Sequence, residues 1–387
     1  MKSNLLKGVT FSVVLLGVTS FLTDISSEMI LSILPLFIVS LGGTGIIVGL
    51  IGGLGDSVAN LLKVFSGYWS DKAGKRKVFV FSGYTFSAFS KILLAFSCVW
   101  QHVLILRALE RTGKGIRTAP RDAIISESKF RGKAFGIHRA MDTSGAVIGS
   151  GIAFLFLFVF IASSPLHQYQ TIILLASIPA FCALVPLIFI HEKKKMKTKT
   201  KVSFKSLPKK FYLTLIPMFI FSIGNFTYMF FLLKANLVLH GFWNPSALTV
   251  LLYVFFNIVY AMFAIPSGML SDKIGRKKVL ITGYLVFALM CAGFAFFNSL
   301  IMLIVLFGLY GLFYAMIEGN QRAFASDFAP EHLRASALGA FHTCIGIGTL
   351  TGSVIAGILW TYVNPSISFV FGAGTAFVAV GMFALLK

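Results

Sequence analysis

Hydrophobic residues arrive in this chain in twelve runs, near 11–40, 45–69, 77–99, 102–125, 132–162, 168–190, 212–238, 246–270, 279–297, 300–326, 334–361 and 366–386. Most equal or exceed the roughly 20 residues that a helix needs to cross the hydrocarbon of a bilayer. The 387 residues are 57% hydrophobic and 12% charged, far below the roughly 25% charged of a soluble domain. The expected fold is therefore an all-α membrane protein with twelve transmembrane helices.

The net charge of +21 does not point to nucleic acid, because the basic residues form neither an arm nor a domain with interleaved aromatics. They sort by connection. Lys and Arg fall at Lys2 and Lys7, at 72–77, 117–133, 193–210, 273–278 and 322–334, whereas alternate connections such as "LGGTG" at 41–45, "SSPLHQ" at 163–168 and "YVNPS" at 362–366 have none. Positive charge stays on the cytoplasmic side, so both termini are expected there, in agreement with an even number of spans. The first apolar run exceeds a signal-peptide core and carries Asp24 and Glu28, so it is expected to remain as span 1. Cys98, Cys182, Cys291 and Cys344 all fall inside expected spans and read as packing residues.

The chain is written twice. "GYWSDKAGKRK" at 67–77 returns as "GMLSDKIGRKK" at 268–278, which sets Asp71 and Asp272 201 residues apart. "GY" at 83–84 returns at 283–284, and "RGKAFG" at 131–136 returns as "RASALG" at 334–339. A duplicated six-helix unit is expected, with its site at the repeat interface. The division reads as 1–190 for the first bundle, 191–210 for a basic cytoplasmic linker and 211–387 for the second bundle.

On these residues the chain resembles the major facilitator superfamily over essentially its whole length. That family's loop signature, G-x-x-x-D-[RK]-x-G-[RK]-[RK], is matched by Gly67, Asp71, Lys72, Gly74, Lys75 and Arg76, and again by Gly268, Asp272, Lys273, Gly275, Arg276 and Lys277. "RTGKG" at 111–115 is similar to the family's R-x-x-Q-G of span 4, with Lys114 in place of the amide. "GAVIGSG" at 145–151, with Gly145 and Gly149, is similar to the glycine-rich span-5 motif of antiporters, but Ser150 stands where a proline is usual. The string "RTGKGIRTAPRD" resembles a prokaryotic, drug- or metabolite-exporter-like subgroup. The resemblance implies two pseudo-symmetric six-helix bundles, a gating role for Gly67, Asp71, Arg76, Gly268, Asp272, Arg276, Gly145 and Gly149, and a role in proton coupling for Arg111. Asp71 is expected beside the start of span 11 and the inner end of span 4.

The polar interior carries the chemistry. Arg107, Glu110, Arg111, Lys114 and Arg117 recur every three or four residues and share a helix face. Four such charges facing lipid would cost on the order of 10 to 14 kcal/mol. They must instead meet partners or water. Asp24, Glu28, Asp56 and Asp142 supply opposing acids and are the candidate proton carriers, with Lys63, Lys91 and Arg139 as further bases. The repeat is an internal control: Asp24 falls on Asn225, Glu28 on Met229, Asp56 on Asn257 and Lys63 on Ala264. The scaffold is kept while most of the charge is removed, which favours a functional reading.

Asp24 and Glu28 lie four residues apart, and two carboxylates so placed cannot both ionise cheaply. Arg107 or Arg111 pairing with both and locking them as ions is the alternative. Arg107, Glu110, Arg111 and Lys114 are candidate substrate contacts, or they only neutralise the acids. Asn225, Tyr228, Asn257, Tyr260 and Tyr314 would form a softer aromatic wall, with Lys234 and Glu318 the main embedded charges of that half. His138 and His342 sit early in spans 5 and 11 as possible proton sites.

No metal-ligand spacing and no P-loop are present, so no cofactor is expected and the chain is not expected to be an enzyme. The expected activity is transport of a small, amphipathic organic solute by alternating access, as proton-coupled export. Uptake or exchange of an organic anion, lipid translocation, and a non-transporting membrane receptor remain alternatives. The expected partners are a small-molecule substrate, protons and membrane lipid, with no nucleic acid. A monomer in the plasma (inner) membrane is expected.

Overall fold

The computed structural model describes residues 10–160, 164–192, 207–329 and 333–386. Those residues form fourteen α-helices and no strand. The first half contains α1 (Phe11–Ser40), α2 (Gly45–Ala73), α3 (Arg76–Leu94), α4 (Trp100–Ile125), α5 (Arg131–Val159), α6 (Pro165–Cys182) and α7 (Leu184–Ile188). The second contains α8 (Lys209–Gly224), α9 (Met229–Val238), α10 (Pro245–Ile274), α11 (Arg276–Phe296), α12 (Leu300–Asp327), α13 (Arg334–Tyr362) and α14 (Pro365–Leu385). Lys2, Lys7 and most of the basic linker lie outside the described residues.

Two of the twelve expected runs are interrupted. Pro186 has no amide to bond the Cys182 carbonyl, and the run splits at Ala183 into α6 and α7. The run at 212–238 breaks at Asn225, and the freed amide of Thr227 is taken up by the Ser353 hydroxyl of α13 at 3.0 Å. Backbone may leave the helix at membrane depth only where such a partner waits. A hydropathy profile sees neither break.

Ten helices, counting α6 with α7 and α8 with α9, are long and apolar enough to cross a membrane. The other two expected spans are present as continuous helices, α3 of 19 residues and α4 of 26, with more charge or less apolar character than the ten. Span 4 is one unbroken helix that carries its charges within it, and span 3 ends at Leu94 rather than near 99, with Cys98 placed in the connection before α4 and exposed rather than inside a span. The charged face of α4 is covered by α2 and α3, admitted by glycine. A Cβ on Gly113 would lie 2.5 Å from the Gly83 carbonyl oxygen, and one on Gly115 would lie 2.6 Å from the Leu62 Cβ.

Within the first half α1 packs on α5 and α6, and α4 on α2 and α3; within the second, α12 packs on α10 and α11, and α14 on α8 and α11. The halves meet along α2 with α13 and α5 with α10. The α2–α13 contact is backbone to backbone: a Cβ on Gly49 would lie 2.1 Å from the Ser353 carbonyl oxygen, and one on Gly357 would lie 2.7 Å from that of Gly45. Both signature loops are turned by glycine at positive φ, Gly74 at +64° and Gly275 at +95°, where a side chain would be strained. These glycines end α2 and α10 and let α3 and α11 start at Arg76 and Arg276.

Candidate transport cavity

Between the halves lies a cavity of about 230 Å³. Its first-half wall is Asp24, Glu28, Asp56, Arg107, Glu110, Arg111, Lys114, Arg139 and Asp142; its second-half wall is Tyr228, Tyr253, Phe256, Asn257, Tyr260, Tyr310, Tyr314 and Glu318. A second cavity of about 320 Å³ shares Asp56, Arg111, Lys114, Tyr228, Tyr314 and Glu318 with it and continues towards Lys63, Asn225, Arg322 and His342. The charged and aromatic walls anticipated from the repeat thus face one another.

Most charges on α4 find partners close by. Arg107 Nη1 donates to Glu110 Oε2 at 2.5 Å within the same helix face, and both side chains are buried. Arg111 Nη2 donates to Asp56 Oδ1 of α2 at 2.5 Å, while its Nε has no hydrogen-bond partner among the described residues. Arg117 stacks on Tyr84, its guanidinium carbon 4.2 Å from the ring centre. Pairing of Asp24 and Glu28 by Arg107 or Arg111, the alternative weighed above, is not what the geometry gives, because those arginines are already engaged. The side-chain ammonium of Lys114 makes no hydrogen bond or ion pair among the described residues, although Lys114 lines both cavities.

The two acids of α1 part company. Glu28 Oε2 accepts from Tyr253 Oη of the second half at 2.8 Å, with Asn257 also in reach. Asp24 instead lines the first-half wall together with Asp142 of α5. Asp142 accepts from Ser20 Oγ at 2.6 Å and from Arg139 Nη1 at 3.3 Å. Lys91 is fully buried away from the cavity, donating to Ser26 and Ser27 at 2.9 Å each.

Arg139 turns its other nitrogen across the molecule. Its Nη2 lies 2.6 Å from Glu318 Oε2 of α12 and its guanidinium lies over the Tyr260 ring. Glu318 also accepts from the Tyr260 hydroxyl and from Arg322 at 3.4 Å. One polar chain therefore runs Asp142, Arg139, Glu318 from the first half to the second. Arg139 and Glu318 were legible only as embedded charges. Each lies about two to three turns from the signature-loop end of its helix, and that equal depth was the available signal. Tyr253 was missed altogether, yet it precedes Asn257 by four residues and Tyr260 by seven, on one helix face.

The expected gating residues behave unequally. Arg76 holds Asp71 at 2.6 Å and reaches Glu127, just past α4, at 3.0 Å. Glu192 accepts from the Arg76 and Lys77 amides at 2.7 and 3.0 Å, capping the start of α3. In the second loop Arg276 bonds Asp327, whereas Asp272 is exposed and makes no ion pair among the described residues. A Cβ on Gly67 would make only ordinary contact with Ala119, and one on Gly268 would meet nothing within 4 Å. Gly145 and Gly149 press on α1 of their own half, where added Cβ atoms would lie 2.4 and 2.3 Å from the Phe21 and Ile25 carbonyl oxygens. Asn225 lines only the second cavity. His138 is buried with its Nε2 unpartnered, and His342 reaches the second cavity. Among the described residues no His, Cys, Asp and Glu cluster is set to hold a metal.

An integral membrane fold with a charged cavity at the interface of two repeated halves defines a membrane transport protein. The sequence model described as Major Facilitator Superfamily matches residues 16–242 and 216–387, and the chain belongs to that superfamily. It is 47% identical over 375 residues, 95% of this chain and 93% of the other, to an uncharacterized MFS-type transporter of Methanocaldococcus jannaschii. It is 35% identical over 126 residues, 33% of this chain and 29% of the other, to the multi-drug resistance efflux pump PmrA of Streptococcus pneumoniae. In structure it is similar to a point mutant of the nucleoside transporter NupG, with a TM-score of 0.81 at 16% identity, covering 97% and 99% of the two chains.

Proposed function

We propose that the chain is a secondary transporter that exports a small amphipathic organic solute in exchange for protons. Residues 1–190 and 211–387 act as two pseudo-symmetric six-helix bundles joined by the linker at 191–210, and they rock about the shared cavity in the plasma membrane with both termini in the cytoplasm. The observation that carries this reading is the carboxyl pair Asp24 and Asp142 in one cavity wall, with Asp142 linked through Arg139 to Glu318 of the opposite half. A proton taken up by the pair weakens the hold of Asp142 on Arg139, and Arg139 in turn sets the strength of the bond between the bundles. Proton occupancy is thereby tied to which end is closed. Glu28 is bonded across the cavity to Tyr253 and is broken free whenever that seam opens.

The substrate meets Arg111 on one side and Tyr228, Asn257, Tyr260 and Tyr314 on the other. A polar head and an apolar remainder suit those two walls. The efflux pump of S. pneumoniae matching part of the chain supports the export direction. The test is flux in proteoliposomes under an imposed pH gradient, across a chemically broad panel. Flux that ignores the gradient would remove proton coupling and leave uniport or exchange.

A further inference from the structure

Two cations in the cavity system have no acid of their own. Lys63 of α2 donates to Asn60 Oδ1 at 3.0 Å and forms no ion pair among the described residues. The side-chain ammonium of Lys114 on α4 has neither a hydrogen bond nor an ion pair there, and the two line the same cavity of about 320 Å³ together with Arg322 and His342. Of the nearby acids, Asp56 is held by Arg111 at 2.5 Å, Glu318 by Arg139 at 2.6 Å and Glu110 by Arg107 at 2.5 Å, Glu28 is bonded to Tyr253 at 2.8 Å, and Asp24 shares the first cavity with Lys114 without an ion pair among the described residues. Lys63 shares its cavity with Lys114, Arg111 and Arg322 on the basic side and with Asp56 and Glu318 on the acidic side. Embedded cations without partners are costly and mark pathways for charged ligands.

The repeat sharpens the point. Lys63 corresponds to Ala264 at the 201-residue offset of the signature loops, and Lys114 to Tyr314 at the 200-residue offset that relates Gly83 to Gly283. Ala264 lines an apolar recess between α5 and α10, so the scaffold at that position does not need a base. We propose that Lys63 and Lys114, flanked by Arg322, form a binding site for an anionic group, a phosphate or carboxylate, at the signature-loop side of the cavity. Resting on the transport reading, this makes the polar head of the substrate an anion, while the tyrosines of α10 and α12 take its apolar part. Lysine suits this task as a mobile point charge with three donors.

The probe is dodecyl phosphate, with dodecyl trimethylammonium as the tail-matched cation and inorganic phosphate as the head alone. Binding to the purified full chain in an uncharged maltoside detergent is followed by calorimetry. We expect dodecyl phosphate to bind at least about tenfold more tightly than the cation. Lys63→Gln and Lys114→Gln should each weaken it by about tenfold, and Lys63→Arg and Lys114→Arg should keep most of the affinity, on the scale by which every tenfold reflects one lost favourable contact. Inorganic phosphate competing with dodecyl phosphate assigns the site to the head. Equal binding of the two amphiphiles, or unchanged affinity in both glutamine variants while the arginine variants remain folded on a sizing column, overturns the proposal. The measurement uses neither a gradient nor flux. A failed anion site therefore leaves the transport reading standing, and failed proton coupling leaves the site standing.

Discussion

Removing the charge of Glu318 should loosen the two halves at the signature-loop end. Arg139 Nη2 and Glu318 Oε2 are 2.6 Å apart, with side-chain exposures of 42% and 36%. Two unit charges at 4 Å attract by about 4 kcal/mol at an effective dielectric constant of 20 and by about 1 kcal/mol in water. Exposed pairs measured by double-mutant cycles contribute roughly 0.2 to 1 kcal/mol. Both side chains are more than a third open to the cavity, so the lower part of that span applies. Tyr260 and Arg322 hold Glu318 in place beforehand, which reduces the ordering cost. The pair is then worth about 1 to 2 kcal/mol, a shift of roughly 5- to 30-fold in the balance between closed and open. The assay replaces the four cysteines by serine, adds Ile345→Cys in the second cavity, and measures labelling by a membrane-impermeant thiol reagent from the signature-loop face. Glu318→Gln and Arg139→Gln should each speed labelling by that factor, and the double variant should add little to either. Rates within twofold of the parent in both single variants, or full additivity in the double, would refute the reasoning.

Three further outcomes follow from the same geometry. Asp24→Asn and Glu28→Gln should abolish pH-gradient-driven flux while expression and detergent stability are retained; unchanged coupling in both would take these acids out of the mechanism. Gly49→Ala places a Cβ 2.1 Å from the Ser353 carbonyl oxygen, and overpacking of that kind costs about 1 to 3 kcal/mol, so the thermal midpoint should fall, whereas Gly151→Ala, with nothing within 4 Å, should leave it unmoved. Glu192→Ala removes the acceptor for the Arg76 and Lys77 amides. Loss of a helix cap costs about 0.5 to 2 kcal/mol, so hydrogen exchange at those two amides should quicken with little change at α12.

The stripe on α4 could be read directly, because a period of three to four residues fixes which side chains share a face whatever surrounds them. Its partners could not. The pairing of Arg111 with Asp56 depends on how far α2 slides along α4, and that offset is set where Leu62 and Ala59 meet Gly115. Asp24 and Glu28 illustrate the same limit. Spacing placed them on one face, but Asp24 joins Asp142 of α5 in the first-half wall and Glu28 bonds Tyr253 of α10, so their neighbours came from different halves of the molecule. The break at Asn225 was invisible for another reason: its hydrogen-bond replacement, Ser353, lies 126 residues beyond Thr227. The repeat was legible in the signature loops because glycine turns need particular residues at particular positions. The cavity wall, where the copies have diverged, kept only its charge contrast.

The glycine contact between α2 and α13 has a mechanical corollary. Two backbones touching without intervening side chains form an axle, and rotation about an axle moves the far rim most. Here the far rim is the seam of α5 and α10, whose recess of about 610 Å³ is lined by Ala140, Val147, Ile258, Met262 and Ile265. That recess has a largely apolar lining suited to acyl chains, so under the proposed rocking motion each cycle would displace hydrocarbon there. We expect turnover to slow as the host bilayer is made stiffer, even when the solute and the gradient are held constant.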